Sequence, residues 1–269
     1  MTRPRMLTNP RPGGNPPSRA GTMLAALALA TFVAFGACGP PAPLTRVRTT
    51  DGFTIAVDVQ TPLGAKKAPL VVLAHQQFKD RTSWDPLVPR LLEKGYAVLR
   101  LDLRGCGEST KEVSSPTELP SNQSDSFHED ILAAMNGAQG QPGVDASRVA
   151  IVASGFSVAY AARCARLDPR VDALVLLSGY LPTPEEDYLI AHPELPVFFS
   201  VATQDVQGTN VVRQHAARMK GPQQTLIEVG PVESDSAKWV GTDGLRDETG
   251  LTDLIVWKLE EMFPPGAPS

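Results

Sequence analysis

The sequence predicts an α/β fold with a mostly parallel central sheet, and three observations carry that expectation. Short β-rich runs alternate with longer stretches of helical period, the signature of strands joined by crossover helices. The interior runs are apolar at nearly every position, as strands covered on both faces must be. Near the front, the Asp51-Gly52 turn pair separates Arg46 to Thr49 from Phe53 to Gln60, which predicts an antiparallel hairpin.

The elements follow in chain order. Buried strands are expected at Leu70 to Ala74, Ala97 to Leu103, Val149 to Ala153, Ala173 to Leu177, Val197 to Ala202 and Thr225 to Val229. Trp84, Leu87, Val88, Leu91 and Leu92 form one helical stripe that Gly95 closes as a C-terminal cap. Ser126-Phe127-His128-Glu129 has the form of a capping box and opens a second helix with Ile131, Leu132 and Met135 on one face. Leu251, Leu254, Ile255, Leu259 and Met262 mark the last helix. Between Gly179 and Pro196 there is room for only a short excursion, so no lid domain is expected.

Residues 1–37 stand outside this pattern. Arg3, Arg5, Arg11 and Arg19 precede an apolar run from Met23 to Phe35. At about 13 residues the run is too short to span a bilayer and fits the core of a signal peptide. It ends in Phe35-Gly36-Ala37-Cys38, which resembles the lipobox of bacterial lipoproteins, with Phe35 where Leu is usual. The resemblance implies lipidation at Cys38, export, and membrane tethering, with Gly39 favouring the outer membrane in a Gram-negative host. Residues 38–44, with Pro40, Pro41 and Pro43, read as a stiff spacer, and residues 45–269 as one domain.

Loss of those four leader arginines takes the formal charge from -4 to -8. An acidic mature chain lacks the cationic surface that displaces counterions from phosphates, so nucleic acid is excluded as a partner. Cys106 and Cys164 alone make no disulfide framework. No cofactor and no metal is expected.

The run His75 … Gly95-Tyr96-Ala97-Val98-Leu99-Arg100-Leu101-Asp102-Leu103-Arg104-Gly105-Cys106-Gly107-Glu108-Ser109 resembles the α/β-hydrolase superfamily, closest to its lidless, dienelactone-hydrolase-like and serine-peptidase-like branch. The likeness extends from about Val47 to Met262. It implies a three-layer α/β-hydrolase fold, in which His75-Gln76 stands where the oxyanion-hole loop reads His-Gly. His75 is normally structural there, and Asp102, Arg104 and Gly107 shape a loop.

The family nucleophile sits at a G-x-S-x-G turn between strand and helix. Here the turn reads Ala153-Ser154-Gly155-Phe156-Ser157. With Gly155 at the apex, Val158, Ala161, Ala162 and Ala165 share one helical stripe and Tyr160 and Arg163 fall off it. The rival register, Gly155-Phe156-Ser157-Val158-Ala159, makes Ser157 the nucleophile. The resemblance also implies a general base on the loop after the last strand, yet none of His75, His128, His192 and His215 follows Val229. His128, His192 and His215 read as surface histidines, and Lys238 has no geometry to support a role as base. Asp205 keeps the position of the family's acid, with helix capping as its plain alternative.

The reading is therefore a tethered, non-catalytic α/β-hydrolase-like protein. It would bind a small ester- or carboxylate-like ligand near His75, Gln76, Gly155, Phe156 and Asp205. The alternative is a serine hydrolase of the cell envelope, esterase- or peptidase-like, that uses Ser157 or a non-standard base.

Overall fold

The computed structural model describes residues 44–121, 123–221, 224–230, 239–246 and 249–266. The leader, Cys38 and the prolines of the spacer lie outside the described residues, as do Lys238 and most of the loop that follows the last strand.

Eight strands form one sheet: β1 (Arg46–Arg48), β2 (Thr54–Gln60), β3 (Lys67–Ala74), β4 (Ala97–Leu101), β5 (Gly143–Ser154), β6 (Val171–Leu177), β7 (Val197–Ala202) and β8 (Gln224–Val229). Their order is β1-β2-β4-β3-β5-β6-β7-β8, with the β1–β2 and β2–β4 pairings antiparallel and the other five parallel. Among the described residues six α-helices accompany the sheet: α1 (Val88–Glu93), α2 (Phe127–Gly137), α3 (Ser157–Leu167), α4 (Thr183–Ala191), α5 (Val206–Arg218) and α6 (Leu251–Met262).

Strand alternation sorts the core into two layers. Leu70, Val72, Val149 and Ile151 face one side, where α2 and α3 add Ile131, Met135, Ala161 and Ala165. Val71, Leu73, Ala150 and Val152 face the other, under Leu91 of α1 and Ile255 and Leu259 of α6. Both faces are covered, which is why these strands are apolar throughout. Between β6 and β7 only α4 intervenes. Among the described residues no helix is long and apolar enough to cross a membrane.

Several local expectations are corrected. The fourth strand stops at Leu101, because Asp102 turns its carboxylate to the backbone N–H of Arg81 (2.7 Å) and of Glu108 (2.8 Å), and Leu103 N–H goes to His75. The fifth starts early, at Gly143, because a polar extension pairs with Lys67 to Pro69 before the register shifts at Pro69/Leu70. The capping box does not form. Ser126 makes no side-chain cap bond, and Glu129 instead accepts from the Thr50 hydroxyl at 2.8 Å. A tertiary partner has outcompeted the local one. The glycine cap at Gly95 is present at φ +91°, with Tyr96 N–H closing back on Leu91 O at 3.1 Å.

The order of strands places the site. The chain leaves β3 toward β4 on one side and returns through α2 to β5 on the other, so the sheet's switch point lies between the carboxyl ends of β3 and β5. Those ends are Ala74 and Ser154.

Candidate functional site

β5 runs out of ladder at Ser154, and the chain must reverse at once to lay α3 against the sheet. Gly155 makes that reversal at φ +58°, donating its N–H to Leu177 O at 2.8 Å and accepting from Val158 N–H at 3.2 Å. The left-handed region favours glycine, and space demands it as well: a Cβ here would stand 2.9 Å from Cβ of Gln76. Gly155 is thus the apex, and Ser157 is the first residue of α3.

Ser157 is fully buried and its hydroxyl donates to the His75 carbonyl. His75 is buried too. Its Nε2 accepts from Leu103 N–H at 3.0 Å, so the proton sits on Nδ1 and is donated to Gln76 O at 2.7 Å. Burial pushes the imidazole below its ordinary pKa, with the Gln76 carbonyl and Asp102 pulling the other way. His75 is a brace for the loop that carries Gln76.

Gln76 fills the space over the turn. Its Oε1 accepts from the Ser154 hydroxyl at 2.9 Å and from Thr242 N–H at 3.0 Å, and the same N–H lies 3.1 Å from Ser154 Oγ. Gly241, at φ +56°, brings the final loop down onto this pair so closely that a Cβ would overlap the Ser154 hydroxyl and Gln76 Oε1. Lys79 and Asp243, 2.9 Å apart, close the rim. Where the family resemblance implies an imidazole after the last strand, the described part of this loop presents the Gly241–Thr242 backbone.

Asp205 caps α5. Its carboxylate accepts from Gly208 N–H at 2.9 Å, and its carbonyl from Thr209 N–H at 2.7 Å. His215, expected at the surface, is buried between α5 and α4: Nε2 accepts from Leu181 N–H at 3.1 Å and Nδ1 faces Glu186 Oε1 at 2.8 Å. His128 and His192 are half-buried rather than surface groups, the latter bonded to Tyr188 O at 2.8 Å. Thus Ser154, Gly155 and Gln76 come together, while Ser157 and Asp205 are each committed to local bonds.

Beside the apex opens a cleft of about 520 Å³ lined by Gly155 and Ser178 together with Asp125, Phe156, Tyr160, Tyr180 and Val211. Phe127 meets Phe156 edge-on at 5.0 Å and steadies that wall. Ser178 has φ +50°, and its buried hydroxyl has no partner among the described residues. Thr242 and Ser178 escape the sequence reading. The only hint of the first is the glycine pair Gly241 and Gly244 around it, and Ser178 carries none.

A family model described as alpha/beta hydrolase fold matches residues 69–225. Among solved structures, a dienelactone hydrolase from Anabaena variabilis superposes with TM-score 0.61 at 17% identity, over 84% of this chain and 98% of that one. An esterase of Pyrococcus furiosus gives 0.59 at 14%, over 82% and 90%. A predicted CIB-like hydrolase from Thermoplasma acidophilum gives 0.58 at 14%, over 80% and 96%. At such identities the likeness concerns the fold. A comparison with curated proteins finds no match.

Proposed function

This chain belongs to the alpha/beta hydrolase fold family, and from that premise we propose that it is a non-catalytic member, tethered through a lipid on Cys38, that binds a small ester- or carboxylate-bearing ligand in the cleft beside Gly155. The observation that carries the reading is the occupant of the apex. A residue without a side chain stands where the family holds its nucleophile, and Gln76 stands against the place a Cβ there would occupy.

The neighbouring hydroxyls support the same reading. Acyl transfer needs an exposed oxygen whose proton a base can take. Ser154 and Ser157 are both wholly buried and give their protons to Gln76 and to a backbone carbonyl. The cleft combines aromatic and apolar walls with a few polar groups, Asp125 among them, the usual make-up of a small-molecule site.

A fluorophosphonate probe offered to the purified protein should label no serine, and nitrophenyl esters should turn over no faster than in buffer. Covalent labelling at Ser154 or Ser157 would overturn the proposal. Titration with short carboxylates and esters should shift the Gly155 and Phe156 amide resonances, and an unmoved spectrum would sink the binding half of it. The tether has its own check. Cys38→Ser should move the protein from the membrane fraction to the soluble one and abolish incorporation of labelled fatty acid.

A further inference from the structure

We propose that His215 is a pH-dependent latch on one wall of this cleft, holding the loop between β6 and α4 closed while its imidazole is neutral and releasing it on protonation. The inference concerns regulation of the binding site and rests on that reading for its biological consequence, not for its physics.

The loop from Ser178 to Pro182 lends the cleft Ser178, Gly179, Tyr180 and Pro182. Two backbone bonds pin it. Ser178 N–H donates to Ser200 O at 2.9 Å, and Leu181 N–H donates to His215 Nε2 at 3.1 Å. Between the pins the chain is tightly constrained. Ser178 is a non-glycine residue in the left-handed region, its buried hydroxyl lacks a partner, and a Cβ on Gly179 would overlap Val158. Such a conformation persists only while its surroundings enforce it.

The enforcing bond depends on one proton. Because Nε2 accepts from Leu181, the ring must be neutral with its proton on Nδ1, which donates to Glu186 Oε1 at 2.8 Å. A second proton can only go to Nε2. It would then point at the Leu181 N–H, setting donor against donor and leaving a buried amide unpaired. The groups facing the ring are Glu186 from α4, the Tyr180 ring at 5.5 Å from the loop itself, and Arg218 on its own helix α5. Arg218 pairs with the same Glu186 carboxylate and reaches Asp187 at 3.5 Å. An imidazolium would keep its counter-charge in Glu186, so the cost of protonation falls on the loop. Leu181 (1% exposed) must give up its partner, and the strained Ser178 turn is then free to relax.

Amide and imidazole resonances of the isotope-labelled full chain, followed from about pH 8 to about pH 4.5, test this across the range where a histidine changes charge. His215 should titrate, and the amides of Ser178, Gly179, Tyr180 and Leu181 should move with the same midpoint. His215→Gln, which accepts but cannot titrate, should leave those amides flat. Glu186→Gln, as a second variant, keeps an acceptor for the Nδ1–H and should leave ring and loop responding together. The proposal is overturned if His215 titrates while Leu181 stays still, if His215 never titrates in this range, or if the Gln variant shows the same loop midpoint. The loop is read without a ligand, so failure of carboxylates to bind at neutral pH would count against the binding function and leave the latch standing.

Discussion

Replacing Arg104 with Met is expected to cost about 3–5 kcal/mol of folding stability at neutral pH, the usual penalty for leaving a buried charge without its partner. The guanidinium is fully buried, gives Nε and Nη2 to Asp130 at 2.9 and 2.7 Å, pairs with Asp51 at 2.6 Å, and lies 4.2 Å over the Phe53 ring. Asp130 is itself fully buried. Burial drives its carboxyl up to about 6 even though Arg104 pulls it down. The pH signature follows from that sign. A carboxyl whose folded pKa lies above its unfolded one favours the folded state at low pH and loses that contribution as pH rises through the folded value. With Arg104 gone, the raised value should rise further. The Met variant's deficit in urea unfolding should therefore be largest near pH 8 and shrink toward pH 5, where Asp130 takes up its proton. A deficit that does not change with pH would mean that lost packing, not the orphaned carboxylate, dominates. Arg104→Lys keeps the charge without the two-pronged geometry and should fall between the two.

Gly155→Ser is the second large effect. An L-residue in the left-handed region costs about 1–2 kcal/mol, and the new Cβ must also push Gln76 away from 2.9 Å. A stability loss of about 2 kcal/mol or more is expected from these two terms together. Gly155→Ala should lose nearly as much, since the Cβ rather than the hydroxyl is the cause. No ester turnover should accompany the serine, because among the described residues the group that meets a Cβ at this position is Gln76, which cannot act as a base. Turnover of nitrophenyl acetate above the parent protein would reveal a working base at the turn and overturn the statement that none serves it.

The fold was legible because its signals are local and repeated. Apolar runs at Leu70, Val149 and Ala173 fit doubly covered strands, and the helix stripe after the turn is enough to put the apex at Gly155. What escaped depends on partners far apart in the chain. The motif at Ser126 and Glu129 looked like a cap, but Thr50 lies within reach of Glu129 only once β1, β2 and α2 are assembled. His215 looked like a surface residue because its own helix does not reveal that α4 and Leu181 close over it. At the site, Gln76 was recognised by its place in the loop, yet its grip on Ser154 and Thr242 joins residues 78 and 166 positions away. No sequence periodicity reports a contact of that kind.

The close seating of Gly241 on Ser154 and Gln76 also bears on how this chain could evolve. A serine at position 155 is unwelcome while Gln76 stays. A smaller residue at position 76 takes the acceptor from the Ser154 hydroxyl and one of two from the Thr242 amide. A histidine introduced at position 241 would drive its Cβ into the Ser154 hydroxyl and Gln76 Oε1. Positions 76, 155 and 241 are therefore sterically coupled, and a mutational walk from this protein to a serine hydrolase would have to change them in concert.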